Sequence, residues 1–310
     1  MTCSYPDEAR RERSGVQGRM TKIRKAVLPV AGLGTRVLPA TKSIPKEMLP
    51  VFDRPAIQYV VEEAREAGIE HIVFVTGRNK SAIEDFFDRA YELEDTLRLK
   101  GKTDILDTLE AEVPEAGSMS FVRQQSPLGL GHAVWCAREL IGKEPFAVLL
   151  PDVIVRAKPG CLAQMAGVYE REGGNVIAVE QVPEDKVSSY GIIDPESREG
   201  RVMKMRGMVE KPSRETAPSN LSITGRYILQ PEIFDLLASQ AKGAGGEIQL
   251  TDAMATLMTQ QPFHAIEYEG DSYDCGNKAG YLRAFVRFAL DHEEEGRNAR
   301  AVVEQVLKDR

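Results

Sequence analysis

Cysteine is scarce in this sequence: four among 310 residues, Cys3, Cys136, Cys161 and Cys275. None forms a C-x-x-C pair or has zinc-ligand spacing, which leaves incidental thiols of a reducing compartment. Long apolar runs are missing too. A helical membrane span needs roughly 20 such residues, and the best run, 146–150, has only the length of a buried strand. An excess of positive charge is absent, with 40 Lys and Arg against 47 Asp and Glu and a net charge of -7. Nothing in that balance supports a nucleic-acid partner. The histidines His71, His132, His264 and His292 are scattered, with no H-E-x-x-H pair, and no G-x-S-x-G elbow is present. A covalent nucleophile is therefore not indicated. The N-terminus carries both charge signs and no apolar core segment, so it does not read as a secretory signal. A cytoplasmic location is the default expectation.

What is present is an ordinary globular composition, 42% hydrophobic and 28% charged, in a chain long enough for a substantial core. Residues 1–21 are polar, rich in Arg and Glu and without periodicity, and are expected to be a disordered extension. From Lys25 the pattern alternates. A short apolar run over 26–30 reads as a buried strand, although Pro29 counts against full pairing in a central strand. Pro55 opens a helix with Ile57, Val60, Val61 and Ala64 on one face, closed by Gly68. Strands are expected at 71–76, 119–122, 146–150 and 176–179, and helices over 84–99, 131–140 and 161–171. This rhythm predicts an α/β fold with a mostly parallel sheet covered by helices on both faces. Beyond about 180 strands dominate, at 191–193, 202–209 and 222–229, which predicts a mixed β region. The end from Lys278 is helical.

The clearest motif follows the first strand: Ala31-Gly32-Leu33-Gly34-Thr35-Arg36. Two glycines let the backbone turn tightly and bring N–H groups to a phosphate. The third glycine of a dinucleotide fingerprint and the Gly-Lys-Ser/Thr of a Walker loop are both missing. Alone, the motif is equally a tight turn. Its company is what matters: Arg36, Lys42 and Lys46 put three cations at the C-terminal edge of the first strand, where open α/β sheets bind ligands. Arg36 can fork onto two phosphate oxygens, and Lys46 supplies a mobile point charge. Asp152 leaves the 146–150 strand at the same edge, placed either to hold a hard divalent cation or to cap a turn. Glu210 and Lys211 precede Pro212. Strand alternation sends them to opposite faces unless the strand stops there, as Pro212 suggests it does, and they fit a sugar hydroxyl and a phosphate or a bare exposed pair. Asp274 is a second metal candidate or a turn residue before Gly276.

Together these stretches resemble the sugar-nucleotidyltransferase family, in its bacterial uridylyltransferase branch. The resemblance is carried by AGLGTR at 31–36, PATKSIPKEMLP at 39–50, GLGHA at 129–133, LPDV at 150–153, YGIID at 190–194, VEKP at 209–212, APSN at 217–220, GEIQLTDA at 246–253 and DCGNKAGY at 274–281, over about 25–288. It implies a Rossmann-like mixed sheet of the nucleotide-diphosphosugar transferase type, with a smaller β-rich sugar-binding region. Residues 22–310 are then one domain, its nucleotide part about 22–180 and its sugar-binding and C-terminal helical part about 181–310. The resemblance implies UTP and glucose 1-phosphate as substrates, Mg2+ as cofactor, and a homodimer or homotetramer. It places Arg36 on the triphosphate, Lys46 on the departing pyrophosphate, and Ala31, Gly32 and Gly34 against the nucleotide. Glu47 and Gln124 fall where the family reads the pyrimidine edge, with Gly129 under the base. Asp152 matches the magnesium ligand and Asp274 a further metal ligand of thymidylyltransferase relatives. Gly191 and Glu210 match sugar contacts, and Lys211 the residue that holds the sugar phosphate. Pro127 is shared with the thymidylyltransferases, so dTTP in place of UTP is a competing reading, as is a non-catalytic nucleotide-sugar sensor.

Overall fold

The computed structural model describes residues 22–241, 243 and 246–309. The extension expected over 1–21 lies outside the described residues. Thirteen strands are present among them: β1 (Lys25–Pro29), β2 (Pro50–Val51), β3 (Arg54–Pro55), β4 (His71–Thr76), β5 (Met119–Arg123), β6 (Phe146–Leu149), β7 (Val153–Arg156), β8 (Asn175–Gln181), β9 (Gly191–Glu199), β10 (Val202–Glu210), β11 (Leu221–Leu229), β12 (Phe263–Glu267) and β13 (Asp271–Asp274). Nine of them form one sheet in the order β5-β4-β1-β6-β11-β8-β12-β10-β9.

The first four strands of that order are parallel. Parallel character then gives way, because β11 runs antiparallel to both β6 and β8. The sheet is thus mixed, with its parallel block on the N-terminal side and the β9–β10 hairpin at the far edge. Pro29 ends β1 at little cost. The strand pairs with β4 along its whole length, but with β6 only over Lys25, Ala26 and Val27. The missing proline N–H therefore faces a gap in the ladder and not a broken bond.

Alternation along β1 sets the two cores. Val27 joins one apolar cluster, with Val73, Val148 and Met254, while Ala26 and Leu28 join the other, with Ile57, Val61 and Met165. The helix Ala56–Glu66 buries Ile57, Val60, Val61 and Ala64, the face its 3.6-residue period predicts. It shares the second face of the sheet with the helix Cys161–Glu172. The opposite face is covered by the helices Leu130–Cys136, Ile233–Ser239 and Leu250–Leu257.

Three local expectations change. The helical stretch over 84–99 is two helices, Ser81–Phe86 and Tyr91–Leu99, because Phe87 turns aside to stack on Phe74 with ring centroids 5.3 Å apart. The helix over 131–140 breaks at Ala137 into Leu130–Cys136 and Arg138–Ile141. The β-rich half holds β12 and the helices Ile233–Ser239 and Leu250–Leu257, which its pattern did not announce. Among the described residues no helix is long and apolar enough to cross a membrane.

Candidate active site

The C-terminal edge of the parallel block opens into two adjoining cavities. The first, about 500 Å3, is walled by the loop after β1 (Ala31, Gly32, Gly34, Arg36), by Lys46, and by Gln124 and Gly129. The second, about 440 Å3, lies towards the β-rich half and is bounded by Glu180, Tyr190, Thr224, Ser272 and Asp274. Arg36, Leu150 and Asp152 line both, so a ligand spanning the two passes these side chains.

The loop after β1 owes its shape to Gly34, which adopts the left-handed region at φ 65°. Thr41 Oγ1 donates to the Gly34 carbonyl at 2.7 Å and ties the turn to the following segment. That segment returns Lys46 beside the loop: a Cβ on Gly32 would lie 3.7 Å from Lys46 Cε. Lys46 Nζ reaches Asp152 Oδ2 at 2.5 Å. Arg36 bridges the two acidic candidates, 3.7 Å from Asp152 and 3.6 Å from Asp274. Burial opposes the charge on Asp152, but Lys46 and Arg36 outweigh it and hold the carboxyl below its usual range. Burial likewise opposes the Lys46 charge, and Asp152 and Glu47 more than compensate, so its pKa is raised. Both groups are ionised at neutral pH.

Gly276 faces the acidic pair with bare backbone. A Cβ there would meet Asp152 Oδ2 at 2.6 Å, an Arg36 nitrogen at 2.7 Å and Asp274 Oδ1 at 2.9 Å. Two carboxylates converging on such a cradle are a donor set that suits a hard cation completed by phosphate oxygens. Among the described residues no group of three or more His, Cys, Asp or Glu gathers as a closed metal cage.

A family model for nucleotidyl transferases matches residues 25–289. This chain belongs to the nucleotidyl transferase family. It is 50% identical over 287 residues to a UTP–glucose-1-phosphate uridylyltransferase of Staphylococcus epidermidis, covering 93% of this chain and 99% of that protein. Its fold is similar to that of a UTP-bound UGPase from Acinetobacter baumannii, with a TM-score of 0.84 and 49% identity over 91% of this chain and 98% of the other. It is also similar to a UDP-glucose pyrophosphorylase complexed with UDP-glucose, with a TM-score of 0.80 and 43% identity over 87% of this chain and all of that one.

On this nucleotidyl transferase frame, the sequence candidates fall into three groups. Ala31, Gly32, Gly34, Arg36, Lys46, Gln124, Gly129 and Asp152 line the first cavity, and Asp274 joins Arg36 and Asp152 in the second. Gly191, Glu210 and Lys211 form a cluster beside the second cavity. A Cβ on Gly191 would touch Ile223, a wall residue, at 3.1 Å and Glu210 Oε2 at 3.2 Å. The strand β10 stops at Glu210, as Pro212 suggested, and Lys211 takes φ 47°. That turn brings Lys211 Nζ to 3.3 Å from Glu210 Oε1, so the two do not point to opposite faces. Glu47 stands apart. It is fully buried and paired with Lys80 at 2.8 Å, outside the walls of both cavities. Burial pushes its carboxyl pKa upward against the pull of Lys80 and Lys46.

Several residues were not singled out from the sequence. Thr251 Oγ1 donates to Glu210 Oε2 at 2.7 Å, and Glu247 lines the first cavity. Both sit in the 246–253 motif, a signal that carried no residue role by itself. Arg226, with no solvent exposure, donates to the carbonyls of Leu150 and Val153 at 3.2 and 2.7 Å and to Glu63 at 2.8 Å. It clamps the turn that presents Asp152. An arginine inside a stretch expected to be a strand, followed by Tyr227, Ile228 and Leu229, was the available sign.

Proposed function

We propose that this chain joins UTP to glucose 1-phosphate, giving UDP-glucose and pyrophosphate. The observation that carries the reading is the meeting of two cavities at Arg36 and Asp152, with Lys46 alongside, in a chain of this family. One cavity takes the nucleotide, the other the sugar, and the charged junction takes the phosphates. The uridylyltransferase named above, and solved relatives holding UTP or UDP-glucose, support the choice of substrates.

The reaction is an in-line displacement. An oxygen of the sugar phosphate forms a bond to the α-phosphorus of UTP, and the bond from that phosphorus to the β-phosphate bridging oxygen breaks, releasing pyrophosphate. The attacking oxygen is already anionic, so no general base is needed. Catalysis reduces to positioning and charge stabilisation. Arg36 orients the triphosphate, and Lys46 neutralises charge on the pyrophosphate as it departs. The glycines at 32 and 34 let the loop backbone approach the phosphates. Gln124 reads the base edge, with Gly129 beneath the base. Lys211 holds the phosphate of the sugar substrate, and Glu210, fixed by Thr251, accepts hydrogen bonds from sugar hydroxyls. Asp152 and Asp274 would hold Mg2+, which screens the repulsion between the two reacting phosphates when bound. Cys136, Cys161 and Cys275 are unpaired thiols, which suits the cytoplasmic location proposed for this chain.

The test is pyrophosphate release by the purified protein with magnesium and UTP plus glucose 1-phosphate, with dTTP and galactose 1-phosphate as parallel arms. Release that requires the sugar phosphate and is fastest with UTP and glucose 1-phosphate is expected. Faster release with dTTP would overturn the base assignment, and no release in any arm from folded protein would overturn the reaction.

A further inference from the structure

His132 makes a contact that the uridylyl transfer does not explain. The Gln124 side-chain nitrogen donates to the Gly129 carbonyl at 3.0 Å and lies 3.0 Å from His132 Nδ1. A carbonyl oxygen only accepts. The amide of Gln124 therefore cannot be turned over, because its oxygen would then face another acceptor at that distance. With an amino group in that position, His132 Nδ1 must accept, and the imidazole proton sits on Nε2.

Each partner in this contact is itself held. The Gly129 carbonyl also accepts from Ala133 N at 3.1 Å, in the first turn of the helix Leu130–Cys136. Gly129 has φ 101° and no room for a side chain, since a Cβ would lie 2.7 Å from Glu247 Cβ and 2.9 Å from the Ile248 carbonyl. Gln124 is anchored by its backbone N–H on the Thr76 carbonyl at 2.8 Å. The His132 ring stacks on Trp135 with centroids 5.8 Å apart, and the Arg138 guanidinium covers Trp135 from 3.8 Å. Cys136 Sγ approaches the same ring nitrogen at 3.9 Å. Burial lowers the His132 pKa from its ordinary value, so the ring is neutral at neutral pH.

The consequence lies at the other end of the amide. Gln124 lines the first cavity, and no described residue donates to its Oε1. We infer that His132 is a specificity-determining positioning residue, which with the Gly129 carbonyl completes the pair of acceptors that locks Gln124 with its carbonyl oxygen towards the base. Such an acceptor pairs with the ring N–H of uracil or thymine. Cytosine offers a bare ring nitrogen there, and two lone pairs would meet. This deepens the function proposed above and rests on it.

The test compares kcat/KM for UTP and CTP in the wild type, His132→Phe and His132→Asn. Phenylalanine keeps the ring on Trp135 and removes the acceptor. Asparagine returns an acceptor near the place of Nδ1. The UTP-over-CTP ratio is expected to fall by about three- to tenfold in His132→Phe, the scale of one lost hydrogen bond while the Gly129 carbonyl still holds the other amino hydrogen, and to stay within about twofold of wild type in His132→Asn. An unchanged ratio in His132→Phe, or an equal fall in both variants, would overturn the inference. Should a variant fail to fold, imidazole nitrogen shifts in the wild type decide: Nε2–H with bare Nδ1 is expected, and Nδ1–H would overturn it. Calorimetric binding of UTP and CTP reads the same selectivity without turnover. Wild-type protein that prefers UTP in binding but releases no pyrophosphate would sink the proposed reaction while leaving the role of His132 standing.

Discussion

Lys211 holds a backbone conformation that a lysine does not choose freely. Its φ of 47° lies in the left-handed region, which costs a residue with a side chain roughly 1–2 kcal/mol. The Glu210–Lys211 ion pair is half-exposed on the lysine side and offsets little of that. Strain retained at such a place points to a use for the ammonium group. Lys211→Gly is therefore expected to keep or raise stability, by up to about 1 kcal/mol in denaturant unfolding. Turnover should fall by about 10²–10³, the usual loss when one stabilising donor is removed. Lower stability with turnover intact would show the reverse, a residue kept for structure. At this scale the sequence was legible where spacing alone decides. Gly34 must turn, and Arg36, Lys46 and Asp152 must reach one edge. It was not legible for Glu47. A three-residue turn, Lys46–Met48, directs neighbouring side chains apart, sending Lys46 to Asp152 and Glu47 inward to Lys80, and no pattern in six residues reveals which goes where.

The turn between β6 and β7 is only as fixed as the groups that hold its carbonyls. Arg226 donates to Leu150 and Val153 on either side of Asp152, and its own charge is balanced by Glu63. Glu63 also accepts from Leu162 N at 3.1 Å, and Glu66 from Gly160 N at 3.1 Å. The helix Ala56–Glu66 thus satisfies open N–H groups at the start of the helix Cys161–Glu172 while it supports the site turn. Breaking the buried pair from one side, as in Arg226→Met, is expected to cost about 3–5 kcal/mol. Adding Glu63→Met should return much of that stability, because no unpaired charge remains. Turnover should stay low in the double variant, since two carbonyls beside Asp152 lose their donor. Wild-type turnover with restored stability would show that the turn holds itself. Of the elements, the helices Ala56–Glu66 and Cys161–Glu172 and the strand β4 were readable from period and composition, whereas the helix Thr103–Glu112 was not. The strand β12 was not, since five residues beside Pro262 carry little pattern. The helix Leu250–Leu257 does bury Leu250, Ala253, Met254 and Leu257 at helical spacing, but only eight residues express it.

For the molecule as a whole, one continuous sheet explains how two kinds of substrate meet. The parallel block supplies the edge at which the phosphate site is proposed, with Arg36, Lys46 and Asp152 lining the cavity there. The antiparallel insertion of β11 between β6 and β8 carries that edge into the β-rich half without a break. The sequence announced a mixed β region beyond about 180, but not that β11 would sit between β6 and β8, because a strand buried along its full length reads the same beside any neighbour. Net charge was equally uninformative about the site. The chain is acidic overall at -7, yet Arg36 and Lys46 stand together where the cavities join, so anion binding is a local property. The central claim is that the two cavities are halves of one site with the reacting phosphates between them. A crystal structure of the protein with magnesium and UDP-glucose tests it directly. The account predicts the uracil against Gln124 and Gly129, the diphosphate beside Arg36, Lys46 and Asp152, and the glucosyl ring in the cavity bounded by Tyr190 and Thr224. A ligand lying wholly within one cavity, or bound with the sugar on the Gln124 side, would contradict it.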